Sequence, residues 1–498
     1  METEKLTASL DELETRLFAL RHAMGLLSLD GATAAPKGSS RPRGITVGVL
    51  SAEEYRLRCG EETRCLLEEM ENRASLLPAV TRRRVEELLK GFRRVSRIPL
   101  AEYSEYARTV SVASDVWHES KEKDDFASFL PWLEKIVEMK RRFALYQDGG
   151  KDPYDTLLDD YEKGASRETL DPFFRLLRER LVPLIRAIGE KPRPRGMNGR
   201  FPIERQKELT GRLMDFLGLD RRYCAVAETE HPFTDSFSRY DVRISTHYHE
   251  EDPLPSLYSV IHEGGHALYE LGTGEELQFT CLGRGATMGI HESQSRFFEN
   301  IIGRSRAFVT WVHPVLEALF PEEMRSFGPE EVYRAANLVT PSLIRTEADE
   351  VTYPLHIMVR YELEKALMDG SLRCAELPGA WREMYREYLG IVPGTDREGV
   401  LQDCHWSGGM IGYFPSYALG SAYGAQMLHE MKKTVDVDGA VLSGNLSPVT
   451  AWLRDRVHRH GRMLEAPDIL GSAFGGNAFD PEYYVRYLTE KYTAVYGL

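Results

Sequence analysis

The sequence predicts a mainly α-helical protein with one small β-sheet. Three observations carry this expectation. Apolar residues recur at spacings of three and four along most of the chain, the pattern of helices with one buried face. Period-two alternation, the mark of half-buried strands, is scarce and concentrates at residues 234–249 (TDSFSRYDVRISTHYH). The 498 residues suffice for a large buried core and more than one lobe.

Taken in order, Leu6, Leu10, Leu13, Leu17, Leu20 and Met24 predict an amphipathic helix of about five turns. Residues 30–43 (DGATAAPKGSSRPR) read as loop. Residues 51–189 read as helix after helix, with a polar break near Lys151-Asp152-Pro153. No internal repeat interrupts them. Residues 190–200 (EKPRPRGMNGR) are rich in Pro, Gly and Arg, which places a hinge or lobe boundary there within one domain spanning 1–498. A helix follows over 203–218, then the 234–249 hairpin around Tyr240, Val242 and Ile244. The edge of such a hairpin can pair with an extended peptide, and a purely structural hairpin fits equally well. Further helices are expected over 291–302 and in the tail (DPEYYVRYLTEKY).

Composition narrows the function. The formal net charge of −14 favours solubility and argues against non-specific nucleic-acid binding. The basic run at 81–97 also carries glutamates and helically spaced leucines, so it reads as a solvated helix face. Six cysteines without a C-x-x-C pair suggest neither a disulfide framework nor a cysteine zinc site. The acidic N-terminus, METEKLTASLDELETRL, is not a secretory signal. No apolar stretch of about 18 residues predicts a membrane span. Together these point to a cytoplasmic protein.

The chemistry concentrates at 256–272, SLYSVIHEGGHALYELG, which holds the H-E-x-x-H pattern His262-Glu263-Gly264-Gly265-His266. On a helix, positions four apart share a face, so both imidazoles can reach one ion. Glu263, turned about 100° around the axis, can face water at the metal without ligating it. Zinc held by three protein ligands keeps a position open for water and lowers its pKa to about 7. The adjacent carboxylate can take that proton and pass it to a leaving amine. Ser256 or Asp252 can cap this helix, and Gly272 stands where it should end. Two histidines satisfied in a helical core would also fit the spacing. Gly264 and Gly265 speak against that: each costs about 1 kcal/mol in a helix interior, which implies a close approach to the backbone.

A third ligand must come from elsewhere. A third histidine in the extended motif is excluded, because Tyr269 and Gly272 occupy the positions that need Gly and His. Glu292 and Glu299 are the nearest candidates, and they share a helix face with Ser295 and Arg296. Local physics leaves the choice between them open. Two His plus a Glu from a second helix is the ligand set of thermolysin-like enzymes. Arg345 can clamp a carboxylate bidentately, or simply pair with Glu347, Asp349 or Glu350. Residues 399–426 are dense in Gly, Tyr, Trp and His, which suggests close packing around a ligand. His405, Tyr413 and Tyr417 can donate hydrogen bonds there.

With these stretches in hand, the chain resembles the thermostable carboxypeptidase Taq family of metallopeptidases. Six motifs carry the likeness: His231-Pro232-Phe233; Asp241-Val242-Arg243-Ile244-Ser245; the H-E-x-x-H itself; His291-Glu292-Ser293-Gln294; Ile344-Arg345-Thr346-Glu347-Ala348-Asp349; and Gly399 to Trp406 (GVLQDCHW). PYDTLLDDYEKG at 153–164 extends it into the first half. The resemblance implies a two-lobed, gluzincin-like helical fold with a deep substrate groove and the small sheet beside the zinc helix. It implies a zinc metallocarboxypeptidase, usually a homodimer, that removes single C-terminal residues with broad specificity; cobalt also serves some members. It assigns the third ligand to Glu292. It raises Arg345, His405, Tyr417, His231 and Arg243 as substrate-binding residues.

Two departures stand out. Ser245 replaces the usual Thr, and Leu29-Asp30-Gly31 replaces a Trp-Asp-Gln run. An oligoendopeptidase or aminopeptidase would share the zinc chemistry. A helical binding scaffold with a structural metal is opposed by Glu263, since a structural site needs no base.

Overall fold

The computed structural model describes residues 2–498. Helix accounts for 68 % of it, about twice the share of roughly a third found in ordinary globular proteins. The first helix, Glu2–Thr33, is longer than the sequence predicts and passes through Leu29, Asp30 and Gly31. The next is Ser40–Cys59, so the expected loop at 30–43 contracts to a short connection. Pro42 lies in the first turn of that second helix, where a missing N–H leaves no bond unmade. Helices then follow one another to Leu217, as expected. The polar break is real: Asp152 caps the helix Pro153–Tyr161, accepting from the Tyr154 N–H at 2.9 Å.

The sheet has three strands: β1 (Cys224–Glu228), β2 (Thr234–Ser238) and β3 (Asp241–Thr246), in the order β1-β3-β2. β2 and β3 form the expected antiparallel hairpin. β1 lies parallel to β3 on its other side and is an addition to the sequence reading. Its side chains after Cys224 are largely exposed, so no alternating pattern announces it.

The main core runs without interruption through residues 190–200, with Met197 and Phe201 fully buried among residues from both sides. The first helices keep a smaller cluster of their own, built on Leu10, Leu67, Met70, Leu77, Val85 and Leu89. Buried charge ties the two together. The Glu14 carboxylate accepts from Arg84 Nε at 2.5 Å and from the Cys281 N–H at 2.7 Å. Between the N-terminal helices and the main body lies a cleft of about 700 Å³, bordered by Arg83, Lys90, Arg94, Tyr161 and Thr287. Among the described residues no helix is long and apolar enough to cross a membrane.

Candidate metal centre

The motif helix spans Leu254–Leu271. Asp252, one of the two predicted caps, accepts from the Leu254 N–H at 2.9 Å. His262 and His266 stand one turn apart, with ring centroids 5.0 Å from each other. The two glycines between them meet neighbours. A Cβ at Gly265 would lie 2.6 Å from the Gln294 carbonyl oxygen, and one at Gly264 would lie 2.4 Å from Leu217 Cδ1. Gly265 therefore lets a second helix, Met288–Arg296, press against the motif helix backbone to backbone.

That close approach brings Glu292, the candidate third ligand, to the two histidines. Glu292 Oε2 lies 3.7 Å from His266 Nε2 and 4.0 Å from His262 Nε2. The three donor atoms lie within 4.8 Å of one another. Donors about 2.0–2.2 Å from a tetrahedral zinc stand about 3.3–3.6 Å apart, so a small inward shift closes this triad on an ion. Among the described residues no other trio of His, Cys, Asp or Glu is arranged this way.

The atoms behind the triad fit a metal as well. His262 Nδ1 meets Glu299 Oε2 at 2.8 Å. His266 Nδ1 meets His291 Nδ1 at 2.6 Å, and His291 Nε2 meets Glu270 Oε1 at 2.8 Å. With each chain of donors ending on a carboxylate, a proton on each Nδ1 leaves both Nε2 lone pairs free toward the gap between the three donors, where a metal would be held. Arg296 Nε holds Glu292 Oε1 at 2.7 Å, leaving Oε2 toward the histidines. Glu299 thus stands behind His262 rather than beside it. It sits in a π-helical stretch, Phe297–Gly303, and also accepts from Arg304 at 2.9 Å. Burial alone would raise its pKa. Arg296, His262 and Arg304 outweigh burial and hold it well below the usual carboxylate range.

Glu263 is buried beside the triad. Thr234, at the start of β2, donates to its Oε2 at 2.6 Å. Burial raises the Glu263 pKa against the opposing pull of His262 and Thr234.

The substrate-binding candidates divide. Arg345, His405, Tyr413 and Tyr417 come together. Arg345 pairs with none of the predicted partners Glu347, Asp349 or Glu350. It donates from Nε and Nη2 to Asp403 at 3.0 and 2.8 Å, and from Nη1 to the Tyr353 hydroxyl at 3.1 Å. Arg360 holds the other oxygen of Asp403 at 2.6 Å. Burial would raise Asp403, but Arg360 and Arg345 outweigh it and hold the group well below its usual range. His405 Nε2 meets the Tyr417 hydroxyl at 3.2 Å, and its Nδ1 is buried without a partner. Burial, against the pull of Asp403, pushes His405 down to about 4.

His231 and Arg243 lie apart from this group. His231 is exposed between β1 and β2, its carbonyl accepting from Thr229 Oγ1 at 2.8 Å. Arg243 pairs with Asp241 through two 2.8 Å bonds and lies over the Phe237 ring. Ser245 keeps the family's hydroxyl in use, accepting from the Phe233 N–H at 2.9 Å. Sequence reasoning missed Thr234, the Asp403–Arg360 pair and the His291–Glu270 relay. Only Glu270 carried a signal, four residues after His266 on the same face.

An H-E-x-x-H helix, a glutamate from a second helix and a buried carboxylate held beside them are the arrangement of a metallopeptidase. The comparisons with known proteins specify which kind. Residues 9–492 match the carboxypeptidase Taq (M32) metallopeptidase family, and the chain belongs to it. It is 39 % identical over 491 residues to carboxypeptidase 1 of Bacillus subtilis, covering 98 % of each chain. It is 38 % identical over 492 residues to thermostable carboxypeptidase 1 of Pyrococcus furiosus, covering 96 % of each. The crystal structure of the M32 carboxypeptidase from Deinococcus radiodurans superposes with a TM-score of 0.96 at 34 % identity, over 99 % of this chain and 100 % of that one. The chain is a metallocarboxypeptidase, a peptide hydrolase that releases C-terminal residues.

Proposed function

We propose that the metal is a single zinc ion held by His262, His266 and Glu292, and that the enzyme grips the substrate's terminal carboxylate at Arg345. Two nitrogens and one oxygen suit zinc, and cobalt is tolerated by the same set. One observation carries the reading: a buried cluster with an excess positive charge is joined to the triad through two side chains, Tyr353 and Arg296. Arg345 and Arg360 share the single carboxylate of Asp403. Tyr353 links cluster and triad, its ring 4.2 Å from the Arg296 guanidinium and its hydroxyl accepting from Arg345. The uncompensated charge attracts a carboxylate, and a guanidinium binds one with directed hydrogen bonds.

When bound, the metal supplies Lewis-acid polarisation of the scissile carbonyl and a lowered water pKa. The chain's own groups do the rest. Thr234 fixes Glu263 Oε2, leaving Oε1 to take the proton of the attacking water. Its raised pKa suits a base that must later hand the proton to the leaving amine. Tyr417, donating to His405 Nε2, leaves His405 Nδ1–H as a free donor for the terminal carboxylate or the developing oxyanion. The edge of β2, beginning at Thr234, offers a backbone wall for an extended peptide. His231, in the connection between β1 and β2, and Arg243, on the central strand β3, would contact residues further from the cut.

A homodimer in a reducing, cytoplasmic compartment completes the proposal. The six unpaired cysteines support the compartment, and the family likeness supports the dimer, which light scattering checks. The enzymatic test is a digest of one peptide with free ends, an acetylated N-terminus or an amidated C-terminus, read by mass spectrometry. Stepwise loss of C-terminal residues from the first two, with the amide spared, is expected. Internal cuts or N-terminal release would overturn the reading in favour of an oligoendopeptidase or aminopeptidase.

A further inference from the structure

We propose that Glu162 is a positioning residue for the metal centre: its buried carboxylate joins the start of the Glu292 helix to the start of the Tyr417 helix, and so sets the triad against the substrate-binding tyrosines. The proposal rests on Glu292 being a metal ligand. Glu162 directly follows the helix Pro153–Tyr161 and is 5 % exposed. It belongs to the PYDTLLDDYEKG stretch, which the catalytic reading leaves without a role.

Two helix N-termini converge on this carboxylate. The Gly289 N–H, in the first turn of Met288–Arg296, donates to Glu162 Oε1. Thr287, the cap of the same helix, turns its hydroxyl toward the carboxyl. From the other side comes Ser416, in the first turn of the helix Pro415–Met431, its buried hydroxyl facing Glu162 and otherwise without a partner. Tyr417 is the next residue. The first turn of a helix presents unpaired N–H groups and partial positive charge, so an anion is stabilised there.

The fit is close. A Cβ at Gly289 would lie 2.8 Å from the Glu162 carboxyl carbon, and a Cβ at Gly420 would lie 2.7 Å from Glu292 Cβ. The two helices therefore touch at Glu292 itself and are pinned together one turn away by Glu162. The end of the Glu162 segment also meets the tyrosine group directly, since the Tyr161 ring packs edge-on against Tyr413 at 5.2 Å. Among the described residues no lysine or arginine pairs with Glu162. Burial pushes its pKa up to about 7, while the Gly289 N–H and the two hydroxyls oppose that rise. A carboxylate held only by two helix starts is suited to fixing their relative position.

The test uses full-length protein at a temperature well below the unfolding of each variant. Metal affinity is measured by chelator competition with zinc, and amide exchange is followed over residues 287–296 in the metal-free protein. Glu162→Ala is expected to weaken zinc binding about tenfold or more, in the range seen for groups behind metal ligands. Exchange at Gly289 should accelerate. Glu162→Gln keeps a carbonyl acceptor for the Gly289 N–H and should recover most of the affinity. A Glu162→Ala protein that melts earlier but binds zinc as the wild type does, with unchanged exchange over 287–296, would make Glu162 structural only and overturn the proposal. A glutamine variant no better than the alanine one would overturn it equally. Should Glu162→Ala fail to fold, Gly289→Ala crowds the same carboxyl and must lose affinity too; wild-type affinity there refutes the idea. Glu292→Ala tests the ligand assignment separately, since retained zinc in that variant would sink the assignment whatever Glu162 does.

Discussion

Replacing Arg345 by Met removes one of two guanidiniums that share Asp403 and leaves Arg360 paired with it. The cluster falls from one excess positive charge to neutrality, with no buried ion stranded, so the fold should tolerate the change. The loss should appear in binding. A hydrogen bond to a charged group contributes about 1.5–3 kcal/mol, and truncating one partner of a buried charged pair costs about 2–5 kcal/mol. A loss of about 2–3 kcal/mol corresponds to roughly 30–150-fold in kcat/KM. The assay compares kcat/KM for a peptide acid and its C-terminal amide, in wild type and variant. The acid should lose most of that factor, so that the preference for acid over amide collapses. An Arg345→Met enzyme that still discriminates acid from amide would refute the carboxylate grip.

Other outcomes follow from the same contacts. Asp403→Asn strands two buried guanidiniums without a carboxylate and should cost about 3–5 kcal/mol of stability in denaturant titration. Gly265→Ala puts a methyl 2.6 Å from the Gln294 carbonyl oxygen; it should destabilise by about 1–3 kcal/mol and weaken zinc binding by spreading the two ligand helices. Glu364, buried against Trp406, Tyr154 and Gly412, is pushed up to about 7 from its ordinary 4.5 by burial. The folded state then binds a proton that the unfolded state has lost. Its stabilising contribution, up to about 3 kcal/mol, is complete below pH about 4.5 and is lost as pH rises through about 7. The wild type's stability advantage over Glu364→Gln should shrink across that window; an advantage growing with pH would contradict the assignment.

The parts legible in the sequence are those set by short spacings. His262, Glu263 and His266 share one helical turn; spacing alone left the third position open between Glu292 and Glu299, and only the family likeness chose Glu292. Even the demand for a close neighbour at Gly264 and Gly265 was readable, because glycine in a helix interior has a cost. The neighbour's identity was not, since it depends on how helices pack. Long-range pairing hid the rest. Thr234 reaches Glu263 across 29 positions, and Asp403 reaches Arg345 across 58. The nearer acids have other duties: Asp349 accepts from the backbone of Val351 and Thr352, and Glu350 pairs with Lys491. β1 escaped because an exposed edge strand need not alternate. Residues 30–43 misled because Gly and Pro are tolerated at helix ends.

The most direct measurement pairs metal content with turnover in Glu263→Gln. The substitution keeps the shape of the side chain and an oxygen for Thr234, and removes only the base. The account predicts about one zinc per chain with kcat reduced by about 10²–10⁴-fold, the usual contribution of a general base. Near-normal turnover with zinc bound would contradict it, because the proton of the attacking water would then go to some other group.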